Sequence, residues 1–236
     1  GWSTWSNGGP DGVLRAHLLD LLEAYGQTWG AGWLDFPGRD LESEQAALIR
    51  LRGFVRSTAD CFERAHSAGH VTGSALVVTP SLDRVLLMLH GKLGRWLQLG
   101  GHADGDPRVE QVALKEAGEE SGLGDLDFLP YEELLGIPVP RPLPFDLDVH
   151  AIPARGAVPG HFHHDVRFLV VARGDLQPQA NSESRDLAWW TLPEAFALTD
   201  EASMHRQFRK LAALAARLSG GRSTRPGDRR GLRTGT

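Results

Sequence analysis

A chain of 236 residues makes one large domain or two small ones. Hydrophobic and charged fractions of 41% and 23% fit a soluble globular protein with a sizeable core, and a net charge of −5 gives no general attraction to nucleic acid or to anionic membranes. The single cysteine, Cys61, excludes an internal disulfide framework and suits a reducing cytoplasm. With no signal-peptide pattern and no apolar run of bilayer length, the expectation is a cytoplasmic protein without nucleic-acid or membrane partners.

Residues 1–12 are rich in Gly, Ser and Asn and read as a flexible tail. Two stretches of helical period follow, at 13–25 (Leu14, Leu18, Leu21, Leu22) and 41–66 (Leu48, Leu51, Phe54, Val55, Phe62), and make up a helical extension over 13–70. Cys61 falls in the second and reads as a small buried apolar residue. Strands are predicted at 73–79 and 84–89, joined by a Pro-Ser-Leu-Asp turn that suits a hairpin. A short apolar run, 96–99, leads into Gly100-Gly101. The next helix is expected to start with Asp106 as N-cap and Pro107 in its first turn, and to stop at Gly122. Gly118 inside it costs roughly 1 kcal/mol against Ala. A Pro-rich crossing leads to strands at 145–152 and 163–172, the segment 181–191 ends in Trp189-Trp190, and 192–218 reads as helix. The basic, Gly-rich residues 219–236 are expected to be disordered. Strands, a helix, more strands and terminal helices imply an α/β fold, a mixed sheet with helices on both sides.

The chemistry concentrates in 101–123, GHADGDPRVEQVALKEAGEESGL. Glu116, Glu119 and Glu120 stand at i, i+3 and i+4, on one face within one helical turn. A solvated acidic face is the bland alternative. Gathered carboxylates repel each other by a few tenths of a kcal/mol per pair, and their hard oxygens are what Mg²⁺ or Mn²⁺ prefers.

This segment resembles the Nudix box, in which a Gly, five residues, a Glu and seven residues precede Arg-Glu-apolar-x-Glu-Glu-x-Gly-apolar. Gly101 supplies the first Gly, and 115–123 (KEAGEESGL) supplies the end at the right spacing. Lys115 replaces the family's Arg, keeping the charge and losing the planar fork. Pro107 stands where the early Glu belongs, one residue after Asp106, as if the loop were one residue shorter and the helix one longer. The resemblance implies a Nudix α/β/α sandwich over 71–218, and a pyrophosphohydrolase that uses Mg²⁺ or Mn²⁺ on a small-molecule diphosphate, typically a nucleoside diphosphate derivative. It implies Glu116, Glu120 and Glu119 as metal ligands, with the carbonyl of Gly101 beside them. Lys115 orients a glutamate or touches phosphate. The catalytic set it suggests is Glu119, Glu120 and Lys115, with Glu183 as a later-loop carboxylate that serves equally well as a plain surface acid. The N-terminal helices offer a homodimer surface.

Histidine is the second unusual feature, with ten in the chain. In a strand, His161, His163, Asp165 and Arg167 share one face while Phe162, His164, Val166 and Phe168 share the other. Such a face suits Zn²⁺ or Mn²⁺, binds a substrate phosphate with Arg167, or is simply packed. His70 and His102 flank the box strands. His102, His163, Arg167 and Trp96 are the candidate substrate-binding residues. The same histidines resemble those of type I isopentenyl diphosphate isomerases, which share the fold and enter the box with Cys-Gly-His. Gly100 occupies the cysteine position here, which favours the hydrolase. The wider run from GHVTGSALVV to LGGHADGD resembles a group of bacterial Nudix hydrolases. A non-catalytic nucleotide sensor is the third reading, disfavoured because all three box glutamates are present.

Overall fold

Every residue of β1 (Gly69–Val78) is buried, as expected for a strand covered on both faces. It runs parallel to β7 (His161–Ala172), from Gly69↔Phe162 to Val78↔Val171. Its other edge takes β4 (Leu99–His102) and β2 (Arg84–His90), both antiparallel. Beyond β7 lie β6 (Pro144–Ile152) and β5 (Leu126–Phe128), and β2 also pairs with β3 (Trp96–Leu97) and β8 (Ser184–Thr191). The result is one mixed sheet of eight strands. This computed structural model describes residues 10–30, 34–136, 138–139, 142–179 and 184–221. Among them are the helices α1 (Pro10–Trp29), α2 (Leu41–Ser57), α3 (Val109–Ser121), α4 (Tyr131–Leu135), α5 (Leu192–Leu198) and α6 (Ala202–Gly221). None is long and apolar enough to cross a membrane.

The sheet is sandwiched. On one face α3 lies directly against β1: a Cβ on Gly73 would come within 2.4 Å of the Val109 carbonyl oxygen, so only glycine permits this approach. Phe54 of α2 stacks on His164 of the same face, ring centroids 3.9 Å apart. The opposite face meets α6, where Gln207 donates to Gln98 (2.6 Å) and Arg206 grips Asp146. The N-terminal helices are tied to this core. The Trp29 indole N–H donates to the Pro144 carbonyl (2.8 Å), and His17 bonds Glu110 of α3 (3.0 Å). The deepest side chains, among them Leu22, Trp29, Leu51, Leu76, Phe145, Phe168 and Phe208, come from α1, α2, α6 and the sheet alike. The extension therefore shares one core with the sandwich.

Several boundaries differ from expectation. Helix α1 spans 10–29, not 13–25, because residues read as tail already start its first turn. Helix α2 stops at Ser57, where Thr58 turns extended, and 58–67 runs mostly in turns instead of continuing helically to His66. Cys61 thus sits in a turn, fully buried as a small apolar residue. Strand β1 starts at Gly69, not at 73, since its first residues pair with β7 and β4. The predicted helix over 192–218 divides into α5 and α6 at Thr199, which is extended. Asp106 does not cap α3, which starts at Val109 after Arg108. Its carboxylate instead accepts from the Arg108 backbone N–H (2.9 Å) and guanidinium, closing a turn ahead of the helix. Gly122 ends α3 left-handed (φ 69°) as predicted. Nothing in the structure explains Gly118. Of the two predicted tails, 1–9 and 222–236 lie outside the described residues, and 219–221 belong to α6.

Candidate active site

The last turn of α3 faces β4. Glu120 is buried, and its Oε2 accepts the Gly100 backbone N–H at 2.9 Å. Glu116 presses on the next residue: a Cβ on Gly101 would lie 2.6 Å from its Cδ and 2.8 Å from its Oε2. Lys115 is exposed and lies 3.5 Å from Glu116 and 3.4 Å from Glu119, which raise its pKa. Two carboxylates thus converge on adjacent residues of one strand, with a third, Glu119, between them on the helix and the Lys115 ammonium beside them. This donor set is all hard oxygen, which suits a divalent cation such as Mg²⁺ or Mn²⁺. Glu116, Glu120, Glu119 and the Gly101 carbonyl are the groups that could hold it. Gly101→Ala tests the cradle. Because the atoms nearest the added methyl are the flexible end of Glu116, the fold is expected to survive. Divalent-metal affinity should fall about 10–100-fold, as when groups that orient a ligand are lost. Unchanged affinity in titration calorimetry would show that Glu116 need not lie on this glycine.

Past Gly101 the strand turns its next side chain, His102, to the opposite face of the sheet. There the register sets His150, His163 and His70 in one row across β6, β7 and β1, with Asp148, Asp165, Thr72 and His102 in the next. Ring centroids lie 4.9 Å apart for His70–His163, 5.1 Å for His70–His161, 5.0 Å for His70–His102 and 5.5 Å for His150–His163. Burial, then the neighbouring imidazoles, push the pKa of His70 down to about 4 and that of His163 down to about 2. Neutral imidazoles are what this packing requires. His70, His102 and His161 of this cluster form one wall of a cavity of about 580 Å³, which Arg64, His66, Val158 and Pro159 also line.

Arg167 is 4% exposed and fully engaged: Nε donates to Asp165 (2.8 Å), Nη1 to Asp146 (3.2 Å) and Nη2 to Asp148 (3.1 Å). Its guanidinium is thus committed to three aspartates, not directed at a phosphate. Asp165 also accepts from Thr72 (2.8 Å), Ser74 (2.7 Å) and Gln98 (3.2 Å). Trp96 packs edge-to-face on Trp190, centroids 5.1 Å apart. His164 points to the far face, against Phe54. Glu183 lies outside the described residues. Sequence reasoning missed Asp146, Asp148 and His150, although their alternation with Phe145, Leu147 and Val149 already marked a polar strand face. Nothing local signalled Arg206 or Gln207, whose partners lie on distant strands.

A mixed-sheet sandwich with a glutamate-bearing helix docked on a Gly-Gly strand is the arrangement expected of a Nudix fold. The chain belongs to the Nudix family, whose NUDIX domain profile matches residues 69–212, and is a Nudix-type pyrophosphohydrolase. Among solved structures, it is similar to an Ap4A hydrolase from C. elegans in a binary complex, at 18% identity and TM-score 0.48, covering 62% of this chain and 97% of that one. It is also similar to a NUDIX-family hydrolase from Clostridium perfringens (21% identity, TM-score 0.42, covering 61% and 97%). A third is the E. coli dihydroneopterin triphosphate pyrophosphohydrolase (17% identity, TM-score 0.43, covering 61% and 94%). No curated protein matches the chain.

Proposed function

We propose that this protein hydrolyses the diphosphate linkage of a small organic diphosphate, such as a nucleoside diphosphate derivative, by attack of water on phosphorus. The observation that carries this reading is the convergence of Glu116 and Glu120 on Gly101 and Gly100. Mg²⁺ or Mn²⁺ bound there would shield the diphosphate and acidify a water. Glu120 is oriented by the Gly100 N–H, which holds its carboxylate against the Gly-Gly strand. Glu116 is held in place by the missing side chain at Gly101. Glu119 is the most exposed of the three, with 60% of its side chain accessible, and is the carboxylate best able to accept a proton from an attacking water. Lys115 bridges Glu116 and Glu119 and balances the charge of the turn while sitting close enough to solvent to meet a phosphate.

The isomerase-like alternative needs a thiol that can transfer protons. Cys61 is fully buried, and burial pushes its thiol up to about 12, so it does not supply one. Incubation of the purified protein with Mg²⁺ or Mn²⁺ and a panel of nucleotide sugars, dinucleoside polyphosphates, nucleoside triphosphates and prenyl diphosphates tests the proposal. Release of a phosphorylated product from some member is expected. Binding without cleavage across the panel would favour the sensor reading instead.

A further inference from the structure

The histidine cluster on the sheet face opposite the glutamate turn takes no part in the chemistry above. Among the described residues, His70, His161 and His163 each offer a ring nitrogen such that all three atoms lie within 4.8 Å of one another. Small rotations of the rings would bring all three onto one ion at Zn–N bonds of about 2.0–2.1 Å. His70 is 1% exposed, yet neither of its ring nitrogens has a hydrogen-bond partner. A buried imidazole left in that state costs about 1–3 kcal/mol per unpaired polar atom, so its retention calls for a ligand. His161 and His163 occupy alternate positions of β7, His70 lies opposite His163 on β1, and His70 and His161 line the same cavity.

We propose that His70, His161 and His163 form a second metal site that takes Zn²⁺ or a similar borderline divalent cation. Imidazole nitrogen suits Zn²⁺, Co²⁺ and Ni²⁺, whereas Mg²⁺ demands oxygen and keeps its waters. The two sites are therefore separated by ligand chemistry as well as by the thickness of the sheet. His102 and His150 lie against the ligands as neighbouring rings. Three protein ligands leave the fourth tetrahedral position open, and here that position faces the cavity of about 580 Å³. An anionic oxygen entering past Arg64 would complete the shell. The site holds its ion whether or not the glutamate turn cleaves a diphosphate.

The test uses Zn²⁺ alone. Titration calorimetry is run on chelator-stripped full-length protein in the Glu120→Gln background, where the glutamate turn is disabled and the signal reports the imidazoles. One equivalent of Zn²⁺ is expected to bind saturably, with nitrogen scatterers at about 2.0–2.1 Å in X-ray absorption. Adding His161→Ala, a half-buried residue at the cavity wall, should weaken binding about 100-fold or more while circular dichroism stays unchanged. Failure of Zn²⁺ to bind saturably overturns the proposal. So does equal affinity with and without His161, or a shell of oxygen scatterers only.

Discussion

Glu120→Gln is expected to lower turnover about 10³-fold or more while leaving the melting temperature equal or slightly higher. The carboxylate is buried, and its Oε2 is already fixed by the Gly100 N–H. The amide keeps the volume and one acceptor but loses the charge that would hold a divalent cation. Metal-assisted hydrolysis relies on the cation for several kcal/mol of transition-state stabilisation, and each 1.36 kcal/mol is tenfold in rate. Stability moves the other way, since Glu116 and Glu120 are like charges at i and i+4, whose repulsion costs a few tenths of a kcal/mol. Opposite signs on activity and stability mark a residue kept for chemistry. Initial rates on any cleaved substrate, with thermal melts of both proteins, decide it. Near-normal turnover would remove Glu120 from the metal site.

Asp146→Asn should have the largest effect on stability, about 3–5 kcal/mol. Asp146 is fully buried. It accepts two bonds from Arg206, at 2.8 Å each, and one from Arg167 at 3.2 Å. Removing its charge leaves two guanidiniums in the interior with Asp148 and Asp165 as their remaining anions. For a domain of this size that cost lowers the melting temperature by roughly 10 °C, at about 2–4 °C per kcal/mol. The same network makes the fold acid-sensitive. Burial works to raise the Asp148 carboxyl, but Arg167, His150 and Arg206 outweigh it and hold it below the usual range. Its contribution is therefore complete above about pH 4, the unfolded value, and is lost as pH falls through the lower folded one. Chemical denaturation of Asp146→Asn at neutral pH measures the main effect. A loss under about 1 kcal/mol would mean that water reaches the guanidiniums.

The parts of the site that were legible beforehand are those set by local geometry. The glutamate turn could be read because i, i+3 and i+4 meet on any helix, and Gly122 ended that helix where its left-handed backbone required. The face shared by His161, His163, Asp165 and Arg167 could be read because strand side chains alternate. Asp106 misled because an Asp before a Pro is an equally good turn residue, and Arg108 captured its carboxylate first. The role of Arg167 misled for a non-local reason: Asp146 and Asp148 reach it only through the β6–β7 register.

The sequence by itself determined the α/β class, the Nudix family signature and the carboxylate turn proposed to carry its chemistry, since these rest on spacings within one helix or strand. Only the tertiary structure decided which of the other polar residues are structural. Pairing of β1 with β7, about ninety residues apart (Thr72↔Asp165), sets His70 beside His163 and Thr72 beside Asp165. Docking of α6 then seals Arg206 onto Asp146. Such contacts depend on register and burial, which a polar side chain's position along the chain does not encode.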